Sequence, residues 1–181
     1  MQIYFLRHEK RDKSCSFFSP LTIEGKRDAT ELIKNLPKFD EVWCSPYKRC
    51  IQTIYPYCQF HNINVNIENG LSEYNHNKEL KNNKDITIQN YKELLLEMDL
   101  LHDRSIIKNE EIINDFPETN TRIYERISKF LDNHIKRWKD KNILICSHLH
   151  CYFMLRAYFN HRIIHYEDKP NMGELRFLFE E

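Results

Sequence analysis

Short apolar runs of the kind that form buried strands alternate along this chain with longer stretches that repeat near every 3.6 residues. Ile3 to Leu6 reads as a strand, and the segment after Thr22 as a helix with Ala29, Leu32, Ile33 and Leu36 on one face and Pro37 as its stop. Val42 to Cys44 reads as a second strand, followed by a helix with Ser45 as N-cap, Pro46 at its first position and Pro56 ending or bending it. Residues 63–67 (INVNI) alternate as a third strand, and NILICSH supplies a fourth before the apolar helix LHCYFMLRAYF. Between them lie two more helices, one through YKELLLEMDLL and one from Glu118 to Trp138. In the second, Ile123, Ile127, Phe130, Leu131, Ile135 and Trp138 form a core-facing stripe. RIIHYE and ELRFLFE read as two closing strands. Strand and helix in alternation imply an α/β fold, a three-layer α/β/α sandwich with a mostly parallel central sheet covered on both faces.

Ligands of such sheets sit beyond the carboxyl ends of the strands. Here those ends carry Arg7-His8, Ser45 to Arg49, and Ser147-His148. Two arginines and two histidines in one pocket suit a phosphoryl group, whose transition state spreads negative charge over oxygens that fixed cations can stabilise. Arg49 lies close to the N-terminus of its helix, where free N–H groups add to the positive potential, and Gln52 and Thr53 share its face.

Composition narrows the setting. The 27 Lys+Arg balance 27 Asp+Glu, so no bulk positive field favours nucleic acid. No apolar run approaches the roughly 18 residues of a membrane span or a signal-peptide core, and we expect a cytoplasmic protein with no membrane partner. At 181 residues the chain has the length of a single domain, 1–181. Its six cysteines read as free thiols. With three glycines there is neither a GxGxxG nor a Walker loop, so side chains must hold a phosphate. No cysteine is followed six residues later by arginine, and no Asp-x-Asp occurs, which removes two common routes of phosphoryl transfer. Histidine is the covalent nucleophile left with a matching arginine environment.

FLRHE, SPLTIEG, CSPYKRCIQT, GLSEY, PET and ICSH, in this order and at these separations, resemble the histidine phosphatase superfamily, the phosphoglycerate-mutase-like proteins. The resemblance runs from residue 3 to about 155, and PNMGELRFLF is similar to that family's closing segment. It implies a phosphatase with no cofactor and no metal, acting on a small phosphorylated substrate or phosphopeptide. His8 would become phosphorylated, with Arg7, Arg49 and His148 around the transferred group. Glu73 would protonate the leaving oxygen, with its pKa raised by a pocket low in water. Ser14 and Leu149 would contact substrate, and the segment 75–116 would form an excursion over it, with Lys78, Lys81, Lys84, His102 and Arg104 as contacts for an anion.

Glu9 and Leu149 stand where the family usually has glycine, and we expect Glu9 to point away from the pocket. A mutase that returns the phosphoryl group to a substrate hydroxyl, and a degenerate phosphate-binding module, are the alternatives within this reading. A metal site built on Cys146, His148 and His150 competes with the simpler view of Cys146 as a core thiol. Oligomeric state is open.

Overall fold

The computed structural model describes residues 1–14, 16–74, 88–108, 118–160 and 166–181. Six strands form one sheet: β1 (Gln2–Arg7), β2 (Glu41–Cys44), β3 (Val65–Ile67), β4 (Ile106–Lys108), β5 (Asn142–Ser147) and β6 (Leu175–Glu180), in the order β4-β3-β2-β5-β1-β6. All neighbours run parallel except β6, which is antiparallel to β1. The α-helices among the described residues are α1 (Ile23–Asn35), α2 (Lys48–His61), α3 (Ile88–Glu97), α4 (Asn120–His134) and α5 (Leu149–Asn160).

Strand alternation sorts the core into two halves. Val42, Cys44, Leu144 and Cys146 face a cluster shared with Leu32 of α1, Ile51 and Ile54 of α2, and Leu94 and Leu95 of α3. Ile3, Phe5, Trp43, Ile143 and Ile145 face the other, completed by Ile123, Ile127 and Phe130 of α4 and Tyr152 and Leu155 of α5. The α/β/α layering expected from the sequence is therefore present. Among the described residues no helix is long and apolar enough to cross a membrane.

Several local expectations are corrected. The N-cap of α2 is Tyr47, not Ser45, and the helix starts at Lys48 rather than Pro46. The N–H of Ser45 donates to the Cys146 carbonyl and its Oγ lies 2.8 Å from His148 Nε2, so that hydroxyl serves a distant partner more closely than its own helix. Pro56 does not end α2, which continues to His61 and stops at Asn62 in the left-handed region, φ 54°. Burial of Ile51, Ile54, Tyr57 and Cys58 on that helix outweighs the one backbone bond a proline removes. The helix expected to reach Trp138 tightens after His134 into a single 3-10 turn, Ile135–Trp138. Strand β4 was not expected, because three residues carry too little periodicity to read. It and α3 lie inside the segment 75–116, whose residues 75–87 and 109–116 fall outside the described residues. Of RIIHYE, residues 162–165 also fall outside them, and Tyr166–Asp168 forms a 3-10 turn rather than a strand.

Candidate active site

The registers that build the sheet also assemble a pocket. Arg7 pairs with Ser147, and Cys44 with Cys146, so β1, β5 and β2 end at one level. His8, Ser45 and His148 each stand one residue past those ends. Helices α2 and α5 begin just beyond, aiming their N-terminal ends at the same place.

His8 is buried, and its Nδ1 lies 2.8 Å from the carbonyl of Glu9. A carbonyl can only accept, so Nδ1 carries the proton and Nε2 keeps its lone pair. Into that lone pair Arg49 donates Nε–H at 3.2 Å. Burial, with help from Arg49, lowers the His8 pKa from 6.5 to about 3, which keeps the ring neutral.

Arg49 is the hub. Its Nη1 donates to the Ser16 carbonyl at 3.2 Å, its Nη2 to His148 Nδ1 at 3.2 Å, and the same Nη2 lies 3.6 Å from Glu73 Oε2. The guanidinium also sits over the Tyr47 ring, 4.5 Å from its centre. Thr53, one turn along α2, donates to the Arg49 carbonyl and accepts the Glu9 N–H, tying the helix to the tip of β1.

The His148 ring is fully buried, with its centre 5.3 Å from that of His8. Burial drives its pKa well below 6.5, against the opposing pull of Glu73. Its Nδ1 meets a donor in Arg49 and, at 3.3 Å, an acceptor in Glu73, while the Ser45 hydroxyl can serve either tautomer at Nε2.

Glu73 lies just past the 3-10 turn Asn69–Leu71. Burial alone would push its carboxyl up. His148, His150, Arg49 and His8 together hold it well below the usual carboxylate range. Because burial also keeps His148 largely neutral, the lasting cation in this set is Arg49. The expected upward shift is thus corrected: the folded pocket holds Glu73 as a carboxylate.

The remaining sequence-predicted residues fall around this group. Arg7 is near enough to lower the His8 pKa, and its Nη1 donates to the Pro170 carbonyl. The hydroxyl of Ser14 bonds to Asp12 and Ser19, and it is the Ser16 carbonyl of the same loop that reaches Arg49. Leu149 is half-buried at the start of α5. The Glu9 carboxyl turns from the histidines to pack on Gly173, so closely that a Cβ there would fall 1.8 Å from its Oε1. Gln52 instead accepts the Leu21 N–H. His102 and Arg104 are exposed beyond α3, and Lys78, Lys81 and Lys84 lie outside the described residues.

Sequence reasoning missed Ser45 as the partner of His148, Tyr47 beneath Arg49, and His150, whose Nδ1 is 3.8 Å from Glu73 Oε1. The signal for His150 was its spacing two residues after His148. The metal reading fails on placement. Cys146 donates to the Cys50 carbonyl inside the core, and among the described residues only His8, Glu73 and His148 bring metal-ligating atoms together, within 4.8 Å. The Arg49 guanidinium bonds both of those rings and pairs with that carboxylate, so a fixed cation already stands among them.

Comparison with known proteins bears on the fold and the family. No curated protein sequence matches the chain. Among solved structures, the ecdysone phosphate phosphatase of Bombix mori, in complex with tungstate, has a TM-score of 0.65 at 16% identity, covering 96% of this chain and 87% of that one. The α-ribazole phosphatase of Shigella flexneri scores 0.64 at 18% identity, covering 97% and 88%. A mutant phosphoserine phosphatase from Entamoeba histolytica, in complex with phosphoserine, scores 0.66 at 16%, covering 96% and 88%. These likenesses establish a shared fold. The family model of the histidine phosphatase superfamily (branch 1) matches residues 3–171, and the chain belongs to that superfamily.

Proposed function

We propose that this protein hydrolyses a small phosphate monoester through a phosphohistidine on His8. The observation that carries the reading is the His8 ring: neutral, with Nδ1–H fixed on a backbone carbonyl and the Nε2 lone pair turned to a buried arginine. Such a nitrogen needs no base to become a nucleophile.

In the first step Nε2 attacks phosphorus while the bond to the ester oxygen breaks. Arg7, Arg49 and His148 would surround the phosphoryl oxygens, Arg49 exchanging its contacts with neutral rings for contacts with an anion. Glu73 would give a proton to the departing oxygen. An incoming phosphoryl group brings negative charge beside Glu73 and draws Arg49 to itself, and both effects raise the carboxyl toward protonation. In the second step water attacks phosphorus, Glu73 takes its proton, and the P–N bond breaks to leave His8 neutral and inorganic phosphate free. Ser14 and Leu149 would be further substrate contacts. The structural neighbours, phosphatases of phosphoserine, α-ribazole phosphate and ecdysone phosphate, support a small phosphorylated substrate.

Replacing His8 with alanine should abolish release of inorganic phosphate from an aryl phosphate while leaving the fold intact. Phosphate release by that variant at the parent rate would overturn the assignment. Transfer to a second hydroxyl with no free phosphate would point to a mutase instead.

A further inference from the structure

The segment that carries Glu73 is held in an unusual way. It is a short 3-10 turn, Asn69–Leu71, followed by irregular backbone, and such segments are held by few regular bonds of their own. Here three successive carbonyls are each taken by a buried side chain from another element. Arg126 of α4 donates Nη1 to Gly70 O and Nη2 to Ser72 O, the latter at 2.8 Å. The Ser147 hydroxyl donates to Leu71 O at 2.7 Å, and the Cys151 thiol to Ser72 O at 3.1 Å. At the other end of the turn the Glu68 carboxylate accepts the Gly70 N–H at 2.7 Å.

The guanidinium of Arg126 is itself fixed. Its Nε lies 2.5 Å from Glu118 Oε1 and its Nη2 3.1 Å from Oε2, a two-point pair that holds the plane of the fork. Both side chains are nearly out of solvent, 10% and 3% exposed. Arg126 sits on the apolar stripe of α4, three residues from Ile123 and four from Phe130, a position that packing alone would give to a hydrophobic residue.

We infer that Arg126, aligned by Glu118, is a positioning residue for the proton-transfer step: by gripping the carbonyls of Gly70 and Ser72 it sets how far the Glu73 carboxyl reaches toward the leaving oxygen. This rests on the role proposed for Glu73. Among the described residues no hydrogen bond or ion pair joins Arg126 to His8, Arg49 or His148, and Arg126→Lys keeps the positive charge that the His148 ring feels, so the phosphoryl-holding half of the pocket stays intact when the grip is loosened.

The consequence is selective. In the first step an ester whose alcohol departs only with a proton depends on Glu73, whereas p-nitrophenolate departs without one; the second step, in which Glu73 serves as base, is common to both. The test compares glycerol 2-phosphate with p-nitrophenyl phosphate in Arg126→Lys, which keeps the charge and loses the fork, and in Glu118→Gln, which carries the same expectation should the lysine variant not fold. In single turnovers with enzyme in excess, where release of the alcohol reads the first step alone and not the shared hydrolysis of the phosphohistidine, glycerol release should slow about 10- to 100-fold, the order of loss expected for a displaced catalytic group, with p-nitrophenolate release slowing less than about threefold. Inhibition by vanadate should stay within about threefold of the parent, because the oxyanion contacts are unchanged. Glu73→Gln serves as the reference. If it shows the selective loss and neither Arg126→Lys nor Glu118→Gln does, the inference fails alone. If Glu73→Gln loses both esters equally, the acid role fails and takes the inference with it.

Discussion

Arg49, buried, and Arg126, nearly so, each stand beside a glutamate, and they are held in opposite ways. Arg126 meets a carboxylate in a two-point pair and two backbone carbonyls, so its positive charge is compensated where it sits. Arg49 spends its donors on two imidazoles and the Ser16 carbonyl at 3.2 Å, and stands off from Glu73 at 3.6 Å. Of its four partners only the carboxylate is charged, and that one is the most distant. A buried cation whose near partners are neutral gains from an incoming anion, whereas one already paired has nothing to gain. On the function proposed above, the same residue type would serve as a binding group in one place and a brace in the other.

The sharpest way to break this comparison is to replace each arginine by methionine and measure both activity and stability. Arg49→Met should lower turnover about 10²- to 10³-fold, as loss of one oxyanion-stabilising donor does, and change unfolding free energy by less than about 1 kcal/mol. Arg126→Met should destabilise by about 3–5 kcal/mol in denaturant titration, because it leaves Glu118 buried without its cation. The comparison collapses if Arg49→Met is the variant that unfolds, or if Arg126→Met is thermodynamically silent.

Acidification sharpens it further, because Arg49 depends on rings that must stay neutral. The pKa of His8 is depressed from 6.5 to about 3, so between those values the unfolded chain binds a proton that the folded one refuses. Stability contributed by the neutral ring is complete above pH 6.5 and is lost as pH falls toward 3. From pH 6.5 to 5 the loss for His8 alone should be about 2 kcal/mol. His8→Asn should flatten the slope of unfolding free energy against pH in that window. An unchanged slope would mean that the ring is not held neutral.

Glu9 is another buried ionisable group, with no ion pair among the described residues, and burial together with Asp28 raises its pKa. Its carboxyl packs on Gly173, which has φ 70°. Gly173→Ala should destabilise by about 2 kcal/mol, from left-handed backbone strain and the clash together. Adding Glu9→Ala should restore the part due to the clash, and no restoration would place Glu9 elsewhere. The smallest effect belongs to the helix that carries Arg126. Thr119 caps α4 by accepting the Arg122 N–H, and Thr119→Ala should lower the unfolding free energy by about 1 kcal/mol.

How much of this was legible depends on the range of the interaction. The parallel sheet and the three strand ends that carry His8, Arg49 and His148 could be read, because apolar periodicity is local and the carboxyl-end rule is general. Ser45 misled because local capping chemistry says nothing of His148, 103 residues away, which takes its hydroxyl. Pro56 could not say whether α2 stops there, because its local cost is set against burial that only the tertiary structure reveals. Glu73 was reached through family resemblance alone, and its depressed pKa follows from neighbours on three other elements. Arg126 left a trace, a charge on an apolar stripe, but the carbonyls that explain it lie more than 50 residues upstream.

The central claim is a covalent bond between phosphorus and one imidazole nitrogen. Mixing the protein with an aryl phosphate, quenching within milliseconds in alkali, where phosphohistidine survives, and locating the added phosphoryl group by peptide mass spectrometry tests it directly. The account predicts one phosphoryl group on His8, absent from His8→Ala. Phosphate found on another side chain, or full turnover with no protein-bound phosphate at any quench time, would contradict it.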